Sequence, residues 1–403
     1  MNAKILCVPL LVLLLFSSCA RKSVSTADSV PSHEPPRGDN YKIGVILPLT
    51  GKYAIYGEST LNGIECAVGI FAPCEGLINA ELVIKDDAGL PDRAVLAVED
   101  LANNDKVSVI IGPLSSTSIE AAAERAQSLS IPLISLSQRE EIPEARDYVF
   151  SVALTAASQV NEIVNYAVQT KKLKNLAVVY PTSVYGEMYK NLFIDAALKA
   201  HAKVVFSERY GETTLDFGGL FRSGKKFDAL FIPDSYRAVG FIASAMIAEG
   251  IEGVQLLGIN RWNNPELVER GGDSLEGSVF VDGFFESSDR PVQKFISAFK
   301  EAYKVGPTIL EAQGFDAARL ASKAIQSTGG RHTTDVRNAL AIIPDVEGAS
   351  GDIGFDSNRK VIRRPFLLTV KDGNIVELGG HVSQKTKDKY GTPIEQKDSS
   401  IKY

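Results

Sequence analysis

Short apolar runs alternate along the chain with longer segments whose apolar residues recur at helical spacing. Residues 107–111 are mostly apolar, as expected for a parallel strand that is buried on both faces. A Gly-Pro pair ends this run, and residues 118–130 then keep their apolar side chains on one helical face. A second apolar run begins at residue 131. This stretch therefore predicts a strand–helix–strand unit.

The same alternation continues on both sides of that unit. Strands are expected over 42–49, 80–85, 107–111, 131–134, 148–152, 176–180, 203–206, 229–232, 254–259, 277–285, 365–370 and 374–378. Helices are expected over 58–70, 91–103, 118–130, 155–171, 185–200, 236–249, 290–304, 309–327 and 333–342, with a loop over 50–57. Helices between strands favour parallel sheets, and the alternation restarts after residue 148. We therefore expect two α/β lobes, each with its own sheet.

Polar residues follow two neighbouring strands of the first expected lobe. Residues 115–118 read Ser-Ser-Thr-Ser where a helix should begin, and residues 135–139 read Ser-Leu-Ser-Gln-Arg after the next strand. A helix N-terminus has unpaired N–H groups and a partial positive charge, which suit a carboxylate or another anion. Ligands of open α/β sheets bind beyond the carboxyl ends of the strands. The sequence thus predicts a ligand pocket at this edge.

The N-terminal segment has the layout of an export signal. One lysine precedes a 5–16 apolar run that is too short to span a bilayer, and small residues lead to Cys19. Residues 16–19, Phe-Ser-Ser-Cys, resemble a bacterial lipobox, which implies lipidation of Cys19 and, with Ala20, sorting to the outer membrane. The alternative is an ordinary secreted protein. Residues 20–40 are expected to form a disordered tether, and residues 379–403 a disordered tail.

Composition removes several classes of function. A net charge of −6 gives no reason to expect nucleic acid or an anionic membrane surface as a partner. The four histidines are far apart, so neither a metal site nor a cofactor is predicted, and no catalytic motif indicates an enzyme. The pair Asp86-Asp87 fits a solvated turn and helix cap better than a metal site. Cys66 and Cys74 are either a disulfide or two separate thiols.

The order of motifs in residues 41–378 resembles the type I periplasmic binding proteins, especially those for leucine, isoleucine and valine. The matching segments are 43–51 with Tyr56-Gly57, 85–88, 110–118, 131–135, 228–231 and 257–258. The resemblance implies two Rossmann-like lobes, 41–153 with 286–356 and 154–285 with 357–378, joined by a three-stranded hinge. It also implies capture of a small amino-acid-like or carboxylate-bearing ligand for an ABC transporter or receptor.

A second resemblance points to a different task on the same fold. The matching segments are 136–140 with Ile142, 180–186, 216–218, 232–234 and 257–265. They are similar to bacterial lipoproteins known as penicillin-binding-protein activators, which implies regulation of a cell-wall synthase through protein contact. A lipid-anchored protein of the periplasm fits both resemblances, so the sequence leaves these two functions open.

The first resemblance assigns residues to the ligand site. It implies that Ser116 and Thr117 hold a carboxylate together with Ser137, although N-capping is an equal alternative for Ser116. It also implies that Tyr56 packs against the ligand, with a surface aromatic as the alternative. Further candidates for the second lobe are Tyr185 and Tyr236, which begin helices.

One position departs from the amino-acid binders. They place a glutamate for the ligand ammonium where this chain has Asn260, and an amide cannot neutralise an ammonium. Asp234 is a candidate replacement, while Arg261 and Arg139 bring positive charge to the same region. A negatively charged or uncharged ligand is therefore as consistent with the sequence as an amino acid is. Trp262 either covers the ligand or packs in the core.

Overall fold

The fold is described from a computed structural model, which covers residues 41–379 except 140, 212, 213, 215, 289–291 and 364. The expected signal peptide, the lipidated Cys19, the tether and nearly all of the expected tail lie outside the described residues. Within the described ranges, no helix is both long enough and apolar enough to cross a membrane.

The first lobe is built on a parallel five-stranded sheet. Its strands are β1 (Tyr41–Leu47), β2 (Ala80–Asp86), β3 (Val109–Ile111), β4 (Leu133–Ser135) and β5 (Val149–Ser151), in the order β2-β1-β3-β4-β5. The connecting helices are α1 (Ala54–Val68), α2 (Pro91–Asp100) and α3 (Ile119–Ser128). Where the three central strands pair with one another, every residue is buried, as the apolar runs predicted.

The prediction of a loop over 50–57 is wrong for its last four residues. After a short turn, Gly51–Tyr53, helix α1 already begins at Ala54. Tyr56 and Gly57 thus lie in the first turn of α1. In the sequence Gly57 suggests a break in the helix. In the structure it lies inside the helix and allows α1 to pass against the backbone carbonyl of Pro48.

The second lobe contains a larger mixed sheet. Its parallel strands are β6 (Asn175–Pro181), β7 (Lys203–Tyr210), β8 (Ala229–Phe231), β9 (Gln255–Gly258) and β10 (Val279–Asp282). Its helices are α4 (Ala156–Asn165), α5 (Val184–Lys199), α6 (Tyr236–Ala248) and the short α7 (Glu266–Gly271). The short α7 was not predicted. The large buried side chains Phe193, Phe231 and Phe280 pack in the core of this lobe.

The chain then passes through three further helices and a small sheet. The helices are α8 (Gln293–Tyr303), α9 (Ile309–Thr328) and α10 (Thr333–Ala341). The small antiparallel sheet is formed by β11 (Val346–Gly348), β12 (Gly351–Phe355) and β13 (Val361–Ile362), which the sequence pattern did not predict. The expected hairpin is present as β14 (Phe366–Lys371) and β15 (Asn374–Glu377), which complete the second sheet in the order β15-β14-β10-β9-β8-β6-β7.

Helix α9 returns to the first lobe and packs closely along α1. Ala317, Leu320 and Ala321 lie in the same apolar core as residues of β1 and β3. A Cβ atom added at Gly63 of α1 would lie only 2.8 Å from the Cα atom of Glu311, so the two backbones are nearly in contact. Gly314 of α9 makes the reciprocal approach to α1. Glycine at these two positions allows the helices to approach so closely.

The connections between the lobes all lie at the carboxyl edges of the parallel strands. Strand β5 ends at that edge of the first sheet and leads directly to α4 of the second lobe. Strand β10 ends at the carboxyl edge of the second sheet, and β14 begins beside it, since Asp282 is paired with Phe366. The two carboxyl edges therefore face each other across a hinge of three chain crossings. This confirms the predicted α/β architecture of two Rossmann-like lobes.

Cys66 and Cys74 form a disulfide, which is one of the two alternatives that the sequence left open. Their Cα atoms are 5.0 Å apart, and both residues are buried. The bridge ties the end of α1 to the loop that follows it.

Candidate ligand-binding crevice

The first wall of the crevice is the turn between β3 and α3. Gly112 ends the strand with φ = 111°, a backbone conformation that favours glycine. The Ser115 hydroxyl lies 2.7 Å from the Thr117 hydroxyl, and the Thr117 hydroxyl donates a hydrogen bond to the Gly89 carbonyl at 3.3 Å. The residues of this turn are thus held in place by their own side chains.

Ser116 is exposed in the middle of that turn. Within the part of the chain that the structure describes, its hydroxyl makes no hydrogen bond to the protein. The N-cap residue of α3 is Ser118, and no side chain caps this helix. The capping role that was an alternative for Ser116 is therefore not performed by its side chain.

Asp86 fastens the ends of β1 and β2 together. Its carboxylate accepts hydrogen bonds from the backbone N–H groups of Leu49 and Ala88, each at 2.8 Å, and from the Thr50 hydroxyl at 2.6 Å. Burial alone would raise the pKa of Asp86, but these hydrogen bonds outweigh it and leave the pKa below its usual value. Asp86 is therefore an anchor of the turn that is already saturated with donors.

The interpretation of Asp87 as part of a solvated helix cap is wrong. Asp87 is completely buried, and α2 begins at Pro91 after Leu90 with no side-chain cap. The backbone N–H of Gly89 donates to Asp87 Oδ1 at 2.9 Å, and burial raises the pKa of this carboxyl. Among the described residues, no three His, Cys, Asp or Glu side chains are grouped as metal ligands.

Exposed aromatic and aliphatic side chains also come from the chain segments before and after β2. The ring of Tyr53 lies on Gly89, where an added Cβ atom would be 2.9 Å from the ring. Tyr56, in the first turn of α1, is 50% exposed, and Ile55 and Leu90 are exposed as well. Only Tyr56 was predicted. The repeated aromatic residues in 52–57, Lys-Tyr-Ala-Ile-Tyr-Gly, were the signal that would also have identified Tyr53.

Ser137 lies differently from Ser116. It is buried, and its hydroxyl accepts a hydrogen bond from the backbone N–H of Arg139 at 3.4 Å. The side chain of Arg139 forms ion pairs with Glu120 and Glu141. The structure therefore does not bring the Ser137 hydroxyl or a free Arg139 charge to the crevice surface.

The opposite wall comes from residues that follow four neighbouring strands of the second sheet. These residues are Tyr185 after β6, Tyr210 at the end of β7, Asp234 after β8 and Arg261 after β9. The Tyr210 hydroxyl donates to Asp234 Oδ2, and the backbone N–H of Ser235 donates to Asp234 Oδ1 at 2.6 Å. The guanidinium of Arg261 lies 5.4 Å from the centre of the Tyr185 ring. Tyr210 and the unpaired state of Arg261 were not predicted.

Both tyrosines of this wall remain protonated at neutral pH. Burial raises the pKa of Tyr185, and the Arg261 guanidinium beside it opposes that shift only in part. Burial and the hydrogen bond to Asp234 raise the pKa of Tyr210. A protonated phenol is a hydrogen-bond donor; Tyr210 already donates its proton to Asp234, so Tyr185 is the one of these two tyrosines that can donate to a ligand.

Two other predicted side chains, those of Tyr236 and Trp262, bind within the protein, as does the backbone of Asn260. The Tyr236 hydroxyl donates to Glu266 Oε1 at 3.2 Å, and the backbone N–H of Asn260 donates to Gln159 Oε1 at 2.9 Å. Trp262 is fully buried, its indole N–H donates to the Ile232 carbonyl at 3.2 Å, and its ring packs on Gly258. Trp262 thus packs in the core, which is one of the two alternatives that the sequence left open, and the expectation that it covers the ligand is wrong.

A buried charged group connects the chain crossings. The Arg363 side chain is 3% exposed, its guanidinium donates to the Val152 carbonyl, and its Nη1 atom lies 4.0 Å from Asp316 Oδ2. Asp282, at the end of β10, accepts hydrogen bonds from Asn263 and from the backbone N–H of Gly283. Burial raises the pKa of Asp282 to about 7. These contacts hold the chain segments of the hinge in the arrangement seen in the structure.

Two lobes that face each other across a hinge, with polar walls at both carboxyl edges, define a solute-binding protein. The chain belongs to the periplasmic binding protein family, which it matches over residues 40–374. This match covers both lobes and most of the chain.

Individual relatives are similar over much of the same region. The chain is 23% identical to Leu/Ile/Val-binding protein homolog 3 of Brucella melitensis over 343 residues, which are 83% of this chain and 93% of that protein. It is 27% identical to the Leu/Ile/Val-binding protein of Escherichia coli over 245 residues, 59% of this chain and 66% of that protein. An ABC transporter substrate-binding protein from Sphaerobacter thermophilus has the same fold, with a TM-score of 0.70 and 20% identity over 84% of this chain and 96% of that chain. These relatives are named as binding proteins.

Proposed function

We propose that this protein captures a small carboxylate-bearing solute between its two lobes and presents it to an ABC transporter, without catalysing a reaction. The observation that carries the proposal is the exposed Ser116 hydroxyl, which has no protein partner and lies in the turn before α3. The names of the relatives, which bind leucine, isoleucine and valine, support solute capture.

The first wall suits a carboxylate for physical reasons. Backbone N–H groups of a helix N-terminus attract an anion, an effect of about 0.3–1 kcal/mol at an exposed site. A hydrogen bond from a hydroxyl to a charged oxygen contributes about 1.5–3 kcal/mol. In the proposal the Ser116 hydroxyl supplies this donor, and Thr117, whose hydroxyl already donates to the Gly89 carbonyl, holds the turn in place. Tyr56 and Tyr185 enclose the rest of the ligand from opposite lobes.

Closure of the crevice would be a hinge motion of the two lobes. We assign residues 41–153 and 286–356 to the first lobe and residues 154–285 and 357–378 to the second. The strands of the two large sheets fit this assignment, whereas β13 pairs with β12 across the boundary at residue 356. A ligand favours the closed form only if it binds that form more tightly than the open one. Contacts with both walls provide that difference.

The location is part of the same proposal. Export and lipidation at Cys19 would hold the protein in the periplasm on the outer membrane, from which the tether lets the lobes extend. The family to which the chain belongs supports a periplasmic location. Regulation of a cell-wall synthase through protein contact remains a separate prediction, and Asn260 in place of an acidic residue is the feature that favours it.

The first test is a thermal-shift screen of the full chain against amino acids, short peptides, carboxylates and muropeptides. A ligand at about 100 times its Kd should add about 2.7 kcal/mol to the free energy of unfolding, which raises the Tm by several degrees. We expect Ser116→Ala to weaken binding of a hit about tenfold, because it removes one donor to a charged oxygen.

Ser128→Ala is the matched control, since it removes an exposed hydroxyl from the far end of the same helix. Equal weakening by both variants, or none by Ser116→Ala, would refute the assigned site. If no compound stabilises the protein while a cell-wall synthase is retained by the immobilised protein, the regulatory function replaces the proposed one.

A further inference from the structure

The guanidinium of Arg261 is the unpaired charge of the crevice wall in the second lobe. Arg261 is exposed, and its guanidinium lies over the Tyr185 ring at 5.4 Å. Among the residues that the structure describes, no carboxylate lies within 4.0 Å of it. By contrast, Arg139 at the edge of the first sheet is paired with two glutamates.

The stacking on Tyr185 orients this cation without neutralising it. An arginine over a tyrosine ring is held by a cation–π contact, and the planar fork of N–H groups remains free at its edge. Such a fork matches the two oxygens of a carboxylate. The Tyr185 ring in turn packs on Tyr189, with centroids 4.8 Å apart, and burial keeps its hydroxyl protonated.

The nearby carboxylates are already engaged by donors of the protein, Asp86 fully and Asp234 in part. Both oxygens of Asp234 already accept hydrogen bonds, from the Tyr210 hydroxyl and from the backbone N–H of Ser235. Asp86, on the other lobe, is saturated by backbone and hydroxyl donors. Asn260 carries no charge. An ammonium group would therefore depend on the partly used Asp234 alone, whereas a second carboxylate finds the unpaired guanidinium of Arg261; an ammonium buried without a partner costs several kcal/mol.

We propose that Arg261 and Tyr185 form a second anion-binding subsite, so that the solute is a short dicarboxylic acid without an ammonium group. One carboxylate binds the Ser116–Thr117 turn of the first lobe, and the other binds the guanidinium of Arg261 on the second lobe. This inference rests on the proposed function, because it takes the crevice as the place where the solute binds. Arg261 is then the residue that determines specificity.

The test uses three six-carbon probes that differ only in their charged groups. 4-Methylpentanoate has one carboxylate, leucine adds an ammonium at carbon 2, and 2-methylglutarate replaces one terminal methyl group by a second carboxylate. Isothermal titration calorimetry on the full chain should give the tightest binding for 2-methylglutarate, at least tenfold tighter than for 4-methylpentanoate, and the weakest for leucine.

Arg261→Gln should remove the advantage of 2-methylglutarate and leave the affinity for 4-methylpentanoate unchanged within about twofold. Arg261→Lys should retain only part of the advantage, since lysine keeps the charge but lacks the fork. Arg222→Gln is the control, because Arg222 is an exposed arginine of the second lobe that is paired with Asp216. It should change neither affinity.

The outcomes separate this inference from the proposed function. Preferred binding of leucine, or an advantage of 2-methylglutarate that survives Arg261→Gln, overturns the dicarboxylate inference while solute capture stands. If 4-methylpentanoate binds and Ser116→Ala weakens it, the first wall is supported whichever probe is preferred. Absence of binding by all three probes overturns the inference, and the wider screen then decides the proposed function.

Discussion

At the scale of single residues, Asp282 combines deep burial with a position at the hinge. It is the last residue of β10, and burial raises the pKa of its carboxyl from 3.8 to about 7. A raised pKa means that the folded protein binds this proton more tightly than the unfolded chain does. Stability from this source is complete below about pH 4 and is lost as the pH rises through about 7.

Replacing Asp282 by Asn should therefore flatten the pH dependence of stability. In the parent protein, the free energy of unfolding from urea titrations should fall between pH 5 and pH 8. In Asp282→Asn this fall should be smaller, although Asp316, whose pKa burial also raises, keeps part of it. An identical fall in both proteins would show that Asp282 does not titrate in this range.

The role of a site residue could be predicted from the sequence only where it depends on the residue's position after a strand. Ser116 and Tyr185 follow strand ends, and the carboxyl edge could be deduced from the strand pattern. The direction of a side chain depends on the turn that carries it, which explains why Ser137 and Trp262 are buried. Tyr210 was missed because the expected strand stopped at residue 206, four residues before the observed end of β7, and because its contact with Asp234 exists only in three dimensions.

At the scale of elements, the contact of α1 with α9 determines how the helices of the first lobe pack together. Gly63 and Gly314 bring the two backbones together, so any side chain at either position must displace a helix. The sequence predicts both helices from their periodicity, but it does not show that they pack on each other. Glycine in a helix interior lowers helix propensity by about 1 kcal/mol, a cost that the close packing offsets.

Gly63→Ala should accordingly destabilise the protein by about 3 kcal/mol or more, because an added methyl group would overlap the backbone of Glu311. Gly240→Ala in α6 is the control, since the nearest atom to an added Cβ there is 3.5 Å away. It should be neutral or stabilising by up to about 1 kcal/mol. Urea unfolding of both variants measures this, and a mild effect of Gly63→Ala would contradict the packing described for α1 and α9.

Long periodic elements were predictable, and short ones were not. The buried parallel strands and the long helices were found within a few residues of their observed ends, because their apolar pattern repeats over many residues. The small sheet β11–β13 lacks such a pattern, and it depends on a turn at Gly351 with φ = 103°. Strands β11 and β12 also contact α9, a long-range contact that the local pattern does not reveal.

At the scale of the whole molecule, the two carboxyl edges face each other because each chain crossing begins or ends there. The lobes can thus approach without breaking either sheet, and the buried Arg363 joins the first crossing to α9 through Val152 and Asp316. The alternation of strands and helices along the sequence already indicated two lobes. Which chain crossings lie side by side could not be deduced from the sequence, since this depends on the register of β14 on β10.

The central claim is that a small solute is bound between the lobes and closes them. Small-angle X-ray scattering of the full chain, with and without a saturating carboxylate from the thermal-shift screen, tests it most directly. We expect the radius of gyration to fall when the ligand is added, and Ser116→Ala to need a higher ligand concentration for the same fall. An unchanged radius of gyration, while calorimetry shows the ligand bound, would contradict capture between the lobes.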